Sequence, residues 1–179
     1  LPAGFAPDTT VLAIPHTDTM LCPRAGVIYQ PSYTASYYVS YGVSFNPSAE
    51  TVTQTATNAS LDPEKNRSIE VGAKLDYLDG NLSLSTAIFR VEKTNARTTD
   101  STGFVTLDGD VRVQGVELGV VGRITPALQV MVGYTFLDGK VIKSNDVGAV
   151  GGADAGIRTE GKTLNNTPRN NASLWTAYS

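Results

Sequence analysis

Apolar and polar residues alternate one for one over long stretches of this chain. Within residues 67–77, Ile69, Val71, Ala73, Leu75 and Tyr77 share one parity, while Ser68, Glu70, Gly72, Lys74 and Asp76 share the other. The same beat runs through Tyr37, Val39, Tyr41, Val43 and Phe45, through Val116, Leu118 and Val120, and through Leu128, Val130, Val132, Tyr134 and Phe136. A period of two is the pleat of a strand with one face in an apolar medium and the other in water. It predicts about seven strands, at 24–30, 36–45, 67–77, 82–92, 115–124, 128–136 and 171–178. The fourth is imperfect, because Phe89 and Val91 take the parity opposite Leu82, Leu84 and Ile88. No segment of comparable length has helical spacing.

The connections alternate too. Short turns are predicted at 30–34, 77–81 and 124–127, and long polar connections at 46–66, 93–111 and 139–169. A soluble sandwich has no reason to gather its short turns at one end and its long loops at the other. A transmembrane barrel does, and strands of roughly 9–11 residues suffice to cross its hydrocarbon layer. The fold expected is therefore all-β, an antiparallel transmembrane β-barrel or part of one. The Val/Leu/Ile face would meet lipid, and Glu70, Lys74, Glu117 and Arg123 would line a wet lumen as structural residues. Tyr29, Tyr37, Phe45, Tyr77, Phe136 and Tyr178 lie near strand ends, where interfacial aromatic girdles form. A soluble β-sandwich binding module and a porin-like barrel share the alternation and remain the alternatives.

Composition narrows the chemistry. Of 179 residues 17% are charged, the net charge is −3, and one Cys and one His are present. No basic footprint points to nucleic acid. The lone Cys22 excludes a disulfide framework, and the lone His16 excludes a His-based triad or a paired-His metal site. Asp108-Gly109-Asp110 lacks the spacing of a calcium loop, and the Gly-rich 148–156 stretch lacks the Lys-Ser/Thr of a phosphate loop. No catalytic residue, no enzyme activity and no resident metal are expected.

Six motifs, met in order, carry a resemblance. They are Pro23-Arg24-Ala25-Gly26-Val27-Ile28-Tyr29-Gln30-Pro31, Ser40-Tyr41-Gly42-Val43-Ser44-Phe45-Asn46-Pro47-Ser48, and the most diagnostic, Leu61-Asp62-Pro63-Glu64 through Ser68-Ile69-Glu70-Val71-Gly72-Ala73-Lys74. Gln114-Gly115-Val116-Glu117-Leu118, Gly133-Tyr134-Thr135-Phe136-Leu137-Asp138 and Asn166-Thr167-Pro168-Arg169 with Ser173-Leu174-Trp175-Thr176 complete the set. Together they resemble the C-terminal half of the barrel of TonB-dependent siderophore receptors over nearly all of residues 23–179. Glu92-Lys93-Thr94-Asn95-Ala96-Arg97 resembles the catecholate branch more loosely.

The resemblance implies about seven strands of a roughly 22-stranded barrel in the bacterial outer membrane, with residues 1–22 an irregular lead-in. The plug domain and the TonB-contacting box would lie outside this chain, so contact with the TonB complex would be made elsewhere. An odd strand count and a chain that stops inside an alternating strand lead to the expectation of a piece of a longer receptor. The implied cargo is a ferric siderophore, with iron held by the siderophore and no cofactor bound directly. An anionic, aromatic catecholate calls for cations and aromatic faces. Lys93, Arg97, Phe104 and Arg112 sit in or beside one predicted loop, where Asp100, Asp108 and Asp110 offset their charge. Arg158 and Lys162 sit in another, which carries a net +2 between Gly139 and Arg169. These six are the candidate ligand contacts.

Overall fold

The computed structural model describes residues 19–46, 63–99, 105–145 and 158–179. They form one seven-stranded sheet in sequence order: β1 (Arg24–Ser32), β2 (Ala35–Asn46), β3 (Glu64–Tyr77), β4 (Leu82–Thr99), β5 (Val105–Arg123), β6 (Leu128–Lys143) and β7 (Asn170–Tyr178). Every neighbour pairs antiparallel, as a meander whose connections all join adjacent strands. Each predicted strand is present. Residues 19–23 carry no regular structure, and the rest of the predicted lead-in lies outside the described residues.

Register keeps the parities together across the sheet. Tyr37, Ala73, Thr86, Leu118, Tyr134 and Ala172 stand opposite one another in a single row, and Val39, Val71, Ile88, Val116 and Phe136 in the next. A slip of one residue would turn a whole strand's apolar set to the other side, so the agreement of six pairings defines two faces. We call the face holding Val71 and Leu118 outward and the face holding Glu70 and Glu117 inward. Among the described residues only Val43, Ala87, Ala96 and Val130 are buried hydrophobics, whereas Val71 is 54% and Leu174 72% exposed. A sheet that offers its apolar face to the surroundings needs another apolar phase against it, which for a barrel wall is lipid.

The short turns lie together at one end. Leu78 and Asp79 take positive φ (52° and 54°) with Gly80 at 84°, the Asn81 side-chain amide donates to the Leu78 carbonyl at 2.7 Å, and β3 folds directly back into β4. Tyr29 and Tyr37 stack at this end with ring centroids 6.5 Å apart, as an interfacial aromatic pair does. Residues 47–62, 100–104 and 146–157, which connect the opposite ends, lie outside the described residues.

The boundaries at the ends opposite the short turns differ from the sequence reading, β3 for one starting at Glu64 rather than at 67. The connection expected at 93–111 is mostly strand, since β4 runs to Thr99 and β5 begins at Val105. Likewise β6 continues from Phe136 to Lys143, and 158–169 folds back on it through a Lys140–Thr163 bridge. The cause is that alternation marks only the part of a strand lying between lipid and water. Above the bilayer the outward face no longer needs apolar residues, and backbone pairing carries the ladder on with the apolar parity inverted. A bulge at Asn95 (φ 56°) bends β4 there, with register shifts between Lys93 and Arg97.

Candidate functional site

The inward face of the sheet carries the hydrogen-bonding chemistry. Tyr38 stands opposite Gly72, and the absence of a side chain there lets the phenol ring lie across the glycine. Its hydroxyl donates to Glu70 Oε1 at 2.7 Å on β3. Ala87 and Glu117 continue that row, and below it Lys74, Ser85, Gly119, Gly133 and Ser173 form a row of mostly small residues. Gly26, Ser40, Gly42 and Ser68 line a groove of about 550 Å³ beside β1. At this height the wall is thus polar and low in bulk, with room for an object seated against it, whereas Val121, Met131 and Trp175 form a bulkier apolar row toward the short turns.

Higher on the same face the polarity reverses. Phe89, Val91, Val113, Leu137 and Val141 all take the inward parity, which explains why β4 breaks its alternation in the sequence. Their outward neighbours are Arg90, Glu92, Gln114, Asp138 and Lys140. The edge of the hydrocarbon layer therefore falls between Ile88, Val116 and Phe136 below and Arg90, Gln114 and Asp138 above. Sequence reasoning missed Tyr38, Phe89 and Val91 as wall residues. The misplaced parity at 89 and 91 was the available clue.

The predicted site residues separate by face and height. Glu70, Lys74 and Glu117 share the inward wall, and Arg123 takes the same parity at the short-turn end, opposite Gln129. Lys93 is inward, but its ammonium is 3.1 Å from Glu64 Oε2 in an ion pair between β3 and β4. Arg112 belongs to β5 and takes the outward parity, opposite Glu92 and Lys140. Lys162 and Arg158 are exposed, and the segment holding Lys162 is tied to β6 by Val141 N–H donating to the Lys162 carbonyl at 3.0 Å. Arg97 lies in β4 opposite Leu107, its side chain outside the described residues, as is Phe104 altogether. Among the described candidates, Lys93 and Arg112 fall on opposite faces and so do not share one cluster. Among the described residues, no three His, Cys, Asp or Glu side chains are placed to hold a metal.

An antiparallel meander with an apolar outer face, a wet inner wall and all short turns at one end is a section of an outer-membrane β-barrel wall. Residues 5–179 match the family model described as TonB dependent receptor-like, beta-barrel, and the chain belongs to that family of outer-membrane transporters. It is 38% identical over 124 residues to the probable TonB-dependent siderophore receptor PiuA of Acinetobacter baumannii, covering 69% of this chain and 17% of that protein. Against the crystal structure of PiuA it superimposes with a TM-score of 0.75 over 87% of this chain and 23% of that one. The catecholate siderophore receptor Fiu of Escherichia coli K12 is 32% identical over 123 residues, covering 69% of this chain and 15% of Fiu. Its structure gives a TM-score of 0.68. The metal-pseudopaline receptor CntO of Pseudomonas aeruginosa PAO1 is 32% identical over 121 residues, 66% of this chain and 16% of CntO. The chain thus spans about a sixth of the length of these three relatives.

Proposed function

We propose that the whole protein is an outer-membrane receptor that binds a ferric siderophore at its extracellular mouth and admits it with energy delivered through TonB. The observation that carries this reading is the inward wall, polar and small at mid-height and apolar above. It belongs to a sheet that superimposes on PiuA and Fiu. In this reading β1 and β7 pair with further strands of a closed barrel, and residues 1–22 lead into it. A plug domain rests against the Gly119, Gly133 and Ser173 row, and carries the contact with TonB. The cargo favoured is an anionic catecholate, because cations and aromatic faces recognise it jointly. Arg97, Phe104, Arg158 and Lys162 are the contacts we favour. Lys93 is already engaged by Glu64, and Arg112 stands on the outward parity. Iron travels inside the siderophore, with no protein ligand.

The test is uptake of radioiron presented as iron(III)–dihydroxybenzoylserine by cells that lack their own catecholate receptors and express the full-length gene. Uptake is expected with intact TonB and absent in a strain deleted for it. TonB-independent uptake would contradict the receptor mechanism. Failure with the catecholate but transport of a metal–pseudopaline complex would select the second reading, a metallophore receptor, which the similarity to CntO supports.

A further inference from the structure

The inward wall differs from one side of the sheet to the other. On β2 its positions are Asn46, Ser44, Gly42, Ser40, Tyr38 and Ser36, and on β3 they include Asn66, Ser68, Glu70, Gly72, Lys74 and Asp76. Among the described residues of these two strands, no aliphatic side chain takes the inward parity at any height. The wall of β4 to β7 is apolar at both ends. Phe89, Val91, Val113, Leu137 and Val141 face inward on the mouth side. Val121, Met131 and Trp175 do so near the short turns, where they are 49%, 52% and 54% exposed. We infer, on the receptor reading above, that β2 and β3 line the route by which cargo passes this wall, while the plug stays packed on β4 to β7.

The two sides respond oppositely to water. Apolar area facing a wet lumen needs a packed cover, and parting that cover costs free energy in proportion to the area re-exposed. A plug therefore leaves the Val121, Met131 and Trp175 patch reluctantly. It leaves the β2–β3 stripe easily, because hydroxyls, amides and charges exchange protein partners for water at little net cost. The stripe also suits a hydrated anionic chelate, whose oxygens trade water for lining donors as it moves. Both of its mid-wall and lower acids are engaged, Glu70 by the Tyr38 hydroxyl at 2.7 Å and Asp76 by Ser83 Oγ at 2.5 Å. Arg24 and Lys74 take the same inward parity and supply positive charge along the path. The stripe's one aromatic ring is kept aside, since Tyr38 lies across Gly72. Toward the mouth the stripe opens into the groove of about 550 Å³ that Ser40, Gly42, Ser44, Asn66 and Ser68 line.

The experiment uses the full-length receptor in cells lacking their own catecholate receptors, with iron(III)–dihydroxybenzoylserine as the probe. Ser36 and Ser173 form a matched pair: the same residue in the same inward row, on opposite sides of the sheet and close to the short turns. Ser36→Phe is expected to lower TonB-dependent uptake about tenfold or more, while probe binding to cells deleted for TonB stays within about twofold. Ser173→Phe should keep both within about threefold of wild type. A second measurement avoids added bulk. With Cys22 replaced by Ser, labelling of Ser36→Cys by a membrane-impermeant maleimide should quicken about fivefold when probe and TonB are both present, and labelling of Ser173→Cys should not change. Equal loss of uptake at 36 and 173, or an equal labelling response, would overturn the proposal. Uptake by the wild type carries the receptor reading and the contrast between 36 and 173 carries the route, so the two fail separately.

Discussion

An arginine in place of Leu118 is expected to destabilise the full-length receptor by about 2–4 kcal/mol, read from urea titrations of folding into liposomes. Leu118 is outward and 40% exposed, midway along the apolar run of β5, between Thr86 on β4 and Tyr134 on β6. A guanidinium at that height must stay desolvated or drag water and headgroups inward. Its neighbour Glu117 points the opposite way, so Glu117→Gln should change stability by less than about 1 kcal/mol. The contrast between adjacent residues is the informative quantity. Equal effects at 117 and 118 would mean that both faces meet the same medium.

The second large effect is expected at Gly122. Its φ of 147° lies in the region that L side chains rarely adopt, and a Cβ there would run into the backbone of Asn81 and Leu82. The β3–β4 turn leans on this glycine, and Arg123 N–H donates to the Asn81 carbonyl at 2.7 Å beside it. Backbone cannot swing aside as a flexible side chain can, so Gly122→Ala combines dihedral strain with overpacking, together about 2–4 kcal/mol. Gly80 also has positive φ, at 84°, but faces open space. Gly80→Ala should cost only about 1 kcal/mol. The same folding assay compares them, and a smaller loss at 122 than at 80 would refute the close approach.

Strand number, order, short turns and the faces of β2, β3, β5, β6 and β7 were legible in the sequence, because lipid on one side imposes a period of two. The upper reaches of β4, β5 and β6 were not. There the requirement for an apolar outer face ends, and Phe89, Val91, Val113 and Leu137 turn inward while Arg90, Gln114 and Asp138 turn outward. A rule tuned to the bilayer reads that inversion as faulty alternation at 89–91, and it starts the next strand only at 115 and ends the following one at 136. Candidate ligand residues were legible only as charges in polar stretches. Sequence does not show that Lys93 meets Glu64 across a strand pair, or that Arg112 falls on the outward parity, since both follow from register. Tyr38 was hidden for a related reason: its value depends on Gly72 lying opposite and Glu70 lying within reach of its hydroxyl.

The central claim is that one parity of these strands meets lipid up to a definite height. It is tested most directly by spin labels placed singly at positions 83–91 of β4 in the full-length receptor, in a lipid bilayer and with Cys22 replaced by Ser. Collision with oxygen, relative to a water-soluble nickel chelate, reports lipid exposure. The account predicts maxima at Leu84, Thr86 and Ile88, minima at Ser83, Ser85 and Ala87, and loss of the oxygen preference at Arg90. Uniform accessibility along the strand, or maxima at 83, 85 and 87, would contradict it.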